Sequence, residues 1–148
     1  MNALAALADP TRQRIVELLA DGEHSAGEIA GEFLERAFGF EEHVRLTAPE
    51  GNVNHAEARL GEAAVYLGDP GDHYKNPKRL GQETVGLYVL VDDVDAHYER
   101  AREAGAEILA DPEDQEYGDR RYTATDPEGH HWYFAQRIRK PEPQGALP

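Results

Sequence analysis

Tyr117–Gln136 reads YGDRRYTATDPEGHHWYFAQ, two β-rich stretches on either side of Asp126-Pro127-Glu128-Gly129. Pro127 presets φ for a tight turn, Gly129 accepts a positive φ, and the flanks are rich in aromatic and β-branched residues. This spacing predicts a hairpin of strands 121–125 and 131–136. With a side-chain period of two, Trp132 and Phe134 share one face and His131 and Tyr133 the other. The first pair is expected to pack in the core against helices.

Composition narrows the setting of that hairpin. The chain has 148 residues, enough for one ordinary domain, or a small domain with an appendage, and a real core. Its 29 acidic and 15 basic side chains give a formal charge of -14. That balance disfavours nucleic acid, whose binding depends on neutralising phosphates with Lys and Arg. Cationic or metal-bearing small molecules are the easier partners. No cysteine is present, so neither a disulfide frame nor a thiolate zinc site is available. No long apolar run suggests a signal peptide or membrane span, and a soluble cytoplasmic protein is expected.

The opening of the chain reads as helical. Asp9 can cap, Pro10 fits a first turn, and Ile15, Leu18 and Leu19 fall at helical spacing up to Gly22. Ser25 and Glu28 form a capping box for a helix reaching about Phe38. The string ALADPTRQRIVELLADGEHSAGEIAGEF resembles the start of ArsR-type winged-helix repressors. The recognition helix and β-wing of such repressors do not follow, because Phe33 runs directly into LERAFGFEEHVRL.

From Phe33 onward the sequence repeats itself. Glu35-Arg36-Ala37 recurs 64 residues later as Glu99-Arg100-Ala101, and each copy is followed by glycine, Gly39 or Gly105. A strand pair follows each helix: 54–60 with 63–67, then 121–125 with 131–136. Strand 84–91 precedes the second helix, so the unit is strand, helix and three strands. A Pro- and Gly-rich segment, 68–83, links the halves. The Tyr117-Gly118-Asp119-Arg120 opening, the Asp-Pro-x-Gly-His turn and Trp132 in the closing strand together resemble the last hairpin of the glyoxalase/bleomycin-resistance branch of the vicinal oxygen chelate superfamily. The resemblance implies an α+β fold of paired βαβββ units. The expected organisation is an ArsR-like helical segment over 1–33, a glyoxalase-like domain over 34–138 and a flexible tail over 139–148.

The repeat also exposes a gap. The counterpart of strand 84–91 in the first half is ADGEHSAG, residues 20–27, too polar for a strand and containing a helix cap. The first strand of the first unit is therefore missing from its place. Either Arg14–Leu19 supplies it, the site stays open, or a second subunit covers it.

In the resembled family a metal is held by His, Glu or Gln side chains from the first and last strands of each unit, facing a cupped sheet. The matching positions here are Gly86, Tyr133 and Tyr66, with the fourth falling in the missing strand. None would hold a divalent cation well, so no cofactor is expected. His55 and Glu57 alternate on one strand face and are the remaining candidates for a metal; a wet, hydrogen-bonded strand face is the plainer reading. His130 and His131 are adjacent, so only one can enter the cup. The predicted cup lining is His55, Glu57, Arg59, Tyr66, Tyr88, His131 and Tyr133, with Tyr117 and Arg120 at the rim. Aromatic walls with a few convergent polar groups suit a small-molecule ligand.

Three functions follow from these residues and resemblances. The favoured one is a metal-free binding protein of the bleomycin-resistance type that sequesters a cationic drug or metabolite, as a homodimer with a groove between subunits. A metal-dependent lyase, isomerase or dioxygenase is the second. An ArsR-like transcription regulator, suggested by residues 1–33 alone, is the third.

Overall fold

The turn at Asp126–Gly129 shows why the chain reverses where it does. The Gly129 amide donates to the Asp126 carbonyl at 3.0 Å and the Asp126 amide to the His130 carbonyl at 3.1 Å. Gly129 has φ 89°, and a Cβ there would stand 2.8 Å from the Lys78 backbone nitrogen, so only glycine fits. The Asp126 carboxylate closes the turn from inside, with Oδ1 accepting from the amides of Glu128 and His130 and Oδ2 from Trp132 Nε1.

This computed structural model describes residues 29–141. The helices expected before residue 29, the ArsR-like string up to residue 28 and tail residues 142–148 lie outside the described residues. A π-helical turn, Ile29–Leu34, continues into α1, Glu35–Phe38. Then come β1 (Glu41–Thr47), β2 (Val53–Leu60), β3 (Ala63–Gly68), α2 (Pro77–Leu80), β4 (Gly86–Leu90), α3 (Val94–Ala104), β5 (Glu107–Asp114), β6 (Asp119–Thr125) and β7 (His131–Arg137). Strands β1, β2 and β3 form one antiparallel sheet in that order. The second sheet has the order β4-β7-β6-β5, with β4 parallel to β7.

The second half is thus a full βαβββ unit, and the first shows helix and three strands. By the repeat, β3 corresponds to β7. Where β7 carries β4 on its outer edge, the outer edge of β3 has no strand partner among the described residues. The expected linker contains α2, capped by Asn76, whose side chain accepts from the Arg79 amide at 2.8 Å, with Pro77 at its first position.

One core joins the halves. Phe33, Leu34, Phe38 and Phe40 pack with Ala58 of β2 and with Val89, Tyr122, Ala124, Trp132 and Phe134 of the second sheet. Trp132 and Phe134 therefore face the helices, as alternation predicts. The helices lock together through backbone ends: Arg100 of α3 donates to the carbonyls of Glu35, which also accepts from the Gly39 amide, and of Arg36 at the C-terminus of α1. No helix among the described residues is long and apolar enough to cross a membrane.

Candidate functional site

Each sheet turns one face to the helices and the other outward, and the outward faces carry most of the predicted site residues, in two clusters. On β2 the inward residues are Ala56 and Ala58, fully buried, so His55, Glu57 and Arg59 point out. His55 Nε2 and Glu57 Oε1 are 2.9 Å apart, and Tyr66, opposite Glu57 in the register, meets the His55 ring edge-on. Arg59 lies apart from that trio, beside Glu41 and His43 at the far end of the strand. Tyr66 is 63% exposed.

The second cluster is more connected. Tyr88 of β4 and Tyr133 of β7 are register partners, with ring planes 17° apart and centroids 6.3 Å apart. The Tyr88 hydroxyl donates to Asp119 Oδ2 at 2.7 Å and lies 3.3 Å from the Tyr117 hydroxyl. Arg121 Nη1 donates to Tyr117 Oη at 3.0 Å, and its guanidinium carbon sits 5.1 Å from the Tyr133 ring centre. Asp119, 1% exposed, also receives Arg137 Nε. Burial pushes the Asp119 carboxyl up, but the bonds from Arg137 and Tyr88 outweigh it and hold the group below the usual aspartate range. Burial, and then the bonds to Tyr117 and Asp119, push the Tyr88 phenol upward, so Tyr88 stays a neutral donor.

His131 lies on the same face as Tyr133 but is engaged at its base, where Nδ1 is 2.6 Å from Glu83 Oε2 and its amide donates to Glu83 Oε1. His130 belongs to the turn. Asp126 holds it through Nδ1 at 3.1 Å, and that hydrogen bond raises its pKa. No hydrogen bond or ring contact among the described residues joins the β2–β3 cluster to the β4–β7–β6 cluster.

Arg120 departs from expectation. It does not stand at the rim with Tyr117: it pairs with Asp95 at the start of α3 at 3.1 Å and with Asp114 at 3.0 Å, on the helix side of the sheet. The register fixes this, since Tyr122 pairs with Phe134 and shares its inward face, and Arg120 has the same parity as Tyr122. Arg121 takes the outward place. Arg121, Asp119 and Glu83 are the site residues that strand assignment alone missed. The turn had the needed signal, because pairing Thr125 with His131 assigns a face to every residue of β6.

The donor set does not fit the metal of the resembled family. At the first-strand position stands Gly86, where a Cβ would be 2.6 Å from Tyr133 Cε2: the Tyr133 ring fills the space a ligand side chain would use. Tyr66 holds the equivalent place in the other sheet. Among the described residues no three His, Cys, Asp or Glu side chains gather as a metal would require.

A hollow of about 690 Å³ lies apart from the tyrosine-rich face and has Tyr66 at its edge. It opens between β3 and β4, with Val65, Leu67, Leu87 and Trp132 on its apolar walls and Tyr74 and His130 at its mouth. Those walls are inward-facing residues, so the hollow lies beside the edge of β3 that has no strand partner among the described residues, where the repeat places a further strand. The tyrosine-rich face is better defined chemically and is the candidate site.

Comparison with known proteins agrees with this architecture. Residues 28–134 match the family model described as Glyoxalase/Bleomycin resistance protein/Dioxygenase superfamily. An uncharacterized protein of Mycobacterium bovis is 37% identical over 114 residues, covering 74% of this chain and 75% of its own length. Among solved structures, TioX from Micromonospora sp. ML1 is similar with a TM-score of 0.61 and 30% identity, covering 84% of this chain and 94% of that one. A glyoxalase/bleomycin resistance protein from Streptomyces sp. CB03234 shares the fold with a TM-score of 0.58 at 23% identity, covering 76% of this chain and 92% of that one. With a family match across most of its length and a mycobacterial relative at this identity, the chain belongs to the glyoxalase/bleomycin resistance protein/dioxygenase superfamily.

Proposed function

We propose that this chain binds a small molecule without a metal, in the manner of bleomycin-resistance proteins, and that it does so as a homodimer in the cytoplasm. The observation that carries the reading is the Tyr133 ring lying over Gly86, in the space where the superfamily's metal chemistry needs a ligand. What remains on the outward faces is aromatic surface with fixed polar groups, the composition of a binding site. A lyase, isomerase or dioxygenase would need donors that these positions do not supply. A regulator would need a DNA-reading element, and no sequence resembling a recognition helix or β-wing follows the ArsR-like string.

The overall charge of -14 argued for a cationic ligand. Three carboxylates on these faces are engaged: Glu57 with His55, Glu83 with His131, Asp119 with Arg137 and Tyr88. Net charge therefore governs which molecules approach, and the face governs which chemical group is held.

Metal analysis of the purified protein tests the reading directly. The expected result is no stoichiometric metal, with Glu57→Ala leaving fold and metal content unchanged. One zinc, nickel, manganese or iron per chain, lost in that variant, overturns it. A thermal-shift screen of aromatic small molecules then identifies the ligand class.

A further inference from the structure

We propose that the outward face of the four-stranded sheet takes a planar aromatic ligand by an acidic oxygen, a carboxylate or phenolate, held by Arg121 while the ring lies along Tyr88 and Tyr133. This rests on the small-molecule reading above and adds the chemistry that face selects. Three observations carry it.

Tyr88 and Tyr133 offer near-parallel rings on adjacent strands, with Tyr88 45% exposed. Stacking on such rings favours flat, π-rich ligands over branched ones. The rings are also held in place. Tyr88 is tied through its hydroxyl to the buried Asp119, and Tyr133 is seated over Gly86. A ligand meeting them therefore finds the surface already ordered.

The second observation is that, of the two arginines on this face, Arg121 is the one whose charge is not offset by a paired carboxylate. Arg137 is committed to Asp119. Arg121 makes one hydrogen bond, from Nη1 to Tyr117, and lies over Tyr133. Its remaining N–H groups form a planar donor fork suited to a carboxylate. Stacking over a ring orients that fork, which a lysine could not reproduce.

The third is the state of the neighbouring carboxylates. Glu83 and Asp119, the groups that would attract a ligand cation, are paired with His131 and with Arg137 and Tyr88. An ammonium placed beside Arg121 would meet like charge, and the carboxylate opposite Arg121 in the register, Glu113 of β5, is solvent-exposed, where an ion pair contributes little. The acidic remainder of the chain acts from a distance and is screened within about 8 Å at physiological salt.

Three isosteric probes separate the possibilities: 2-naphthoate, 2-naphthylmethylammonium and 2-naphthalenemethanol, titrated calorimetrically into the full chain with tyrosine ring resonances followed by NMR. The carboxylate should bind tighter than the ammonium by on the order of tenfold or more, as a charge-assisted bond allows. Arg121→Gln should bring the carboxylate down to the level of the alcohol and leave the alcohol unchanged. Equal or tighter binding of the ammonium, or no effect of Arg121→Gln, overturns the proposal. If the ammonium or the alcohol binds at least as tightly as the carboxylate and Tyr133→Leu abolishes that binding, the small-molecule reading stands and the acidic-oxygen assignment falls. If no probe binds at millimolar concentration, both fall. The wild-type order of the three probes is a test in its own right should Arg121→Gln fold poorly.

Discussion

Two contacts show how single residues set stability and chemistry here. The first is His97 of α3. Its Nε2 is 2.7 Å from the Phe38 carbonyl, which only accepts, so Nε2 carries the proton and Nδ1 of the neutral ring accepts from the Tyr122 hydroxyl at 2.6 Å. Protonating Nδ1 would set donor against donor. Burial, with Arg100 adding to it against the pull of the Phe38 carbonyl, lowers the His97 pKa below its ordinary 6.5. The unfolded chain then binds more protons than the folded one between the lowered value and 6.5, so stability falls as pH drops through that window. His130 acts in the opposite sense: its raised pKa contributes stability that is full below 6.5 and is lost as pH rises through the folded value. In His130→Gln the opposing contribution is gone, and urea unfolding should show stability falling steadily as pH is lowered from about 7.5 to about 5.5. A flat profile would contradict the assigned tautomer. The second contact is Gly86 against Tyr133. Gly86→Ala should cost about 1–3 kcal/mol through overpacking, and little in a Tyr133→Ala background, a coupling that a double-mutant cycle in urea measures. Additive effects would mean that the ring does not fill the vacated ligand position.

At the scale of elements, the hairpins were legible because their punctuation is local. Asp126, Pro127 and Gly129 specify a turn within four residues, and alternation on either side then assigns Trp132 and Phe134 inward. The 64-residue repeat supplied the rest of the second unit. What local reading lost were groups whose roles depend on distant partners: Glu83 finds His131 48 residues away, and Asp119 finds Tyr88 31 residues away. Arg120 and Arg121 are neighbours in sequence and opposites in space, so assigning either needs the strand register as well as the residue type. The short α2 escaped notice inside a Pro- and Gly-rich segment although Asn76 and Pro77 are its start signals. The hairpin's dependence on one side chain gives an element-level prediction. Asp126→Ala would remove four hydrogen bonds and strand the buried Trp132 Nε1–H, costing about 3 kcal/mol or more, with Asp126→Asn intermediate. Tryptophan fluorescence during urea unfolding reads the loss. A cost under about 1 kcal/mol would show that the turn residues suffice without the carboxylate.

The whole molecule raises a question the hairpins do not answer, which is what covers the first unit. Strand β3, AAVYLG, has no charge and no proline to discourage pairing, and its outer edge lacks a strand partner among the described residues. Beside it the 690 Å³ hollow exposes the inward faces of Val65, Leu67 and Leu87. On the outward faces Tyr66 and Leu90 are more than half exposed. An uncovered edge next to apolar surface invites association, and relief by a second copy is consistent with the two site clusters remaining separate within one chain. We therefore expect a dimer. Sedimentation velocity at about 10–100 μM should give a single dimeric species, since a stable interface of standard size buries about 1,600 Å² and persists in that range. Ala64→Lys, which places a charge on the exposed edge of β3 without entering the core, should shift the species toward monomer while the melting transition is retained. Deleting residues 1–24 should abolish the dimer or cause aggregation if that segment shares in the cover. A wild-type chain that stays monomeric, soluble and stable across the range would refute the dimer, and a dimer indifferent to both changes would place its interface away from β3.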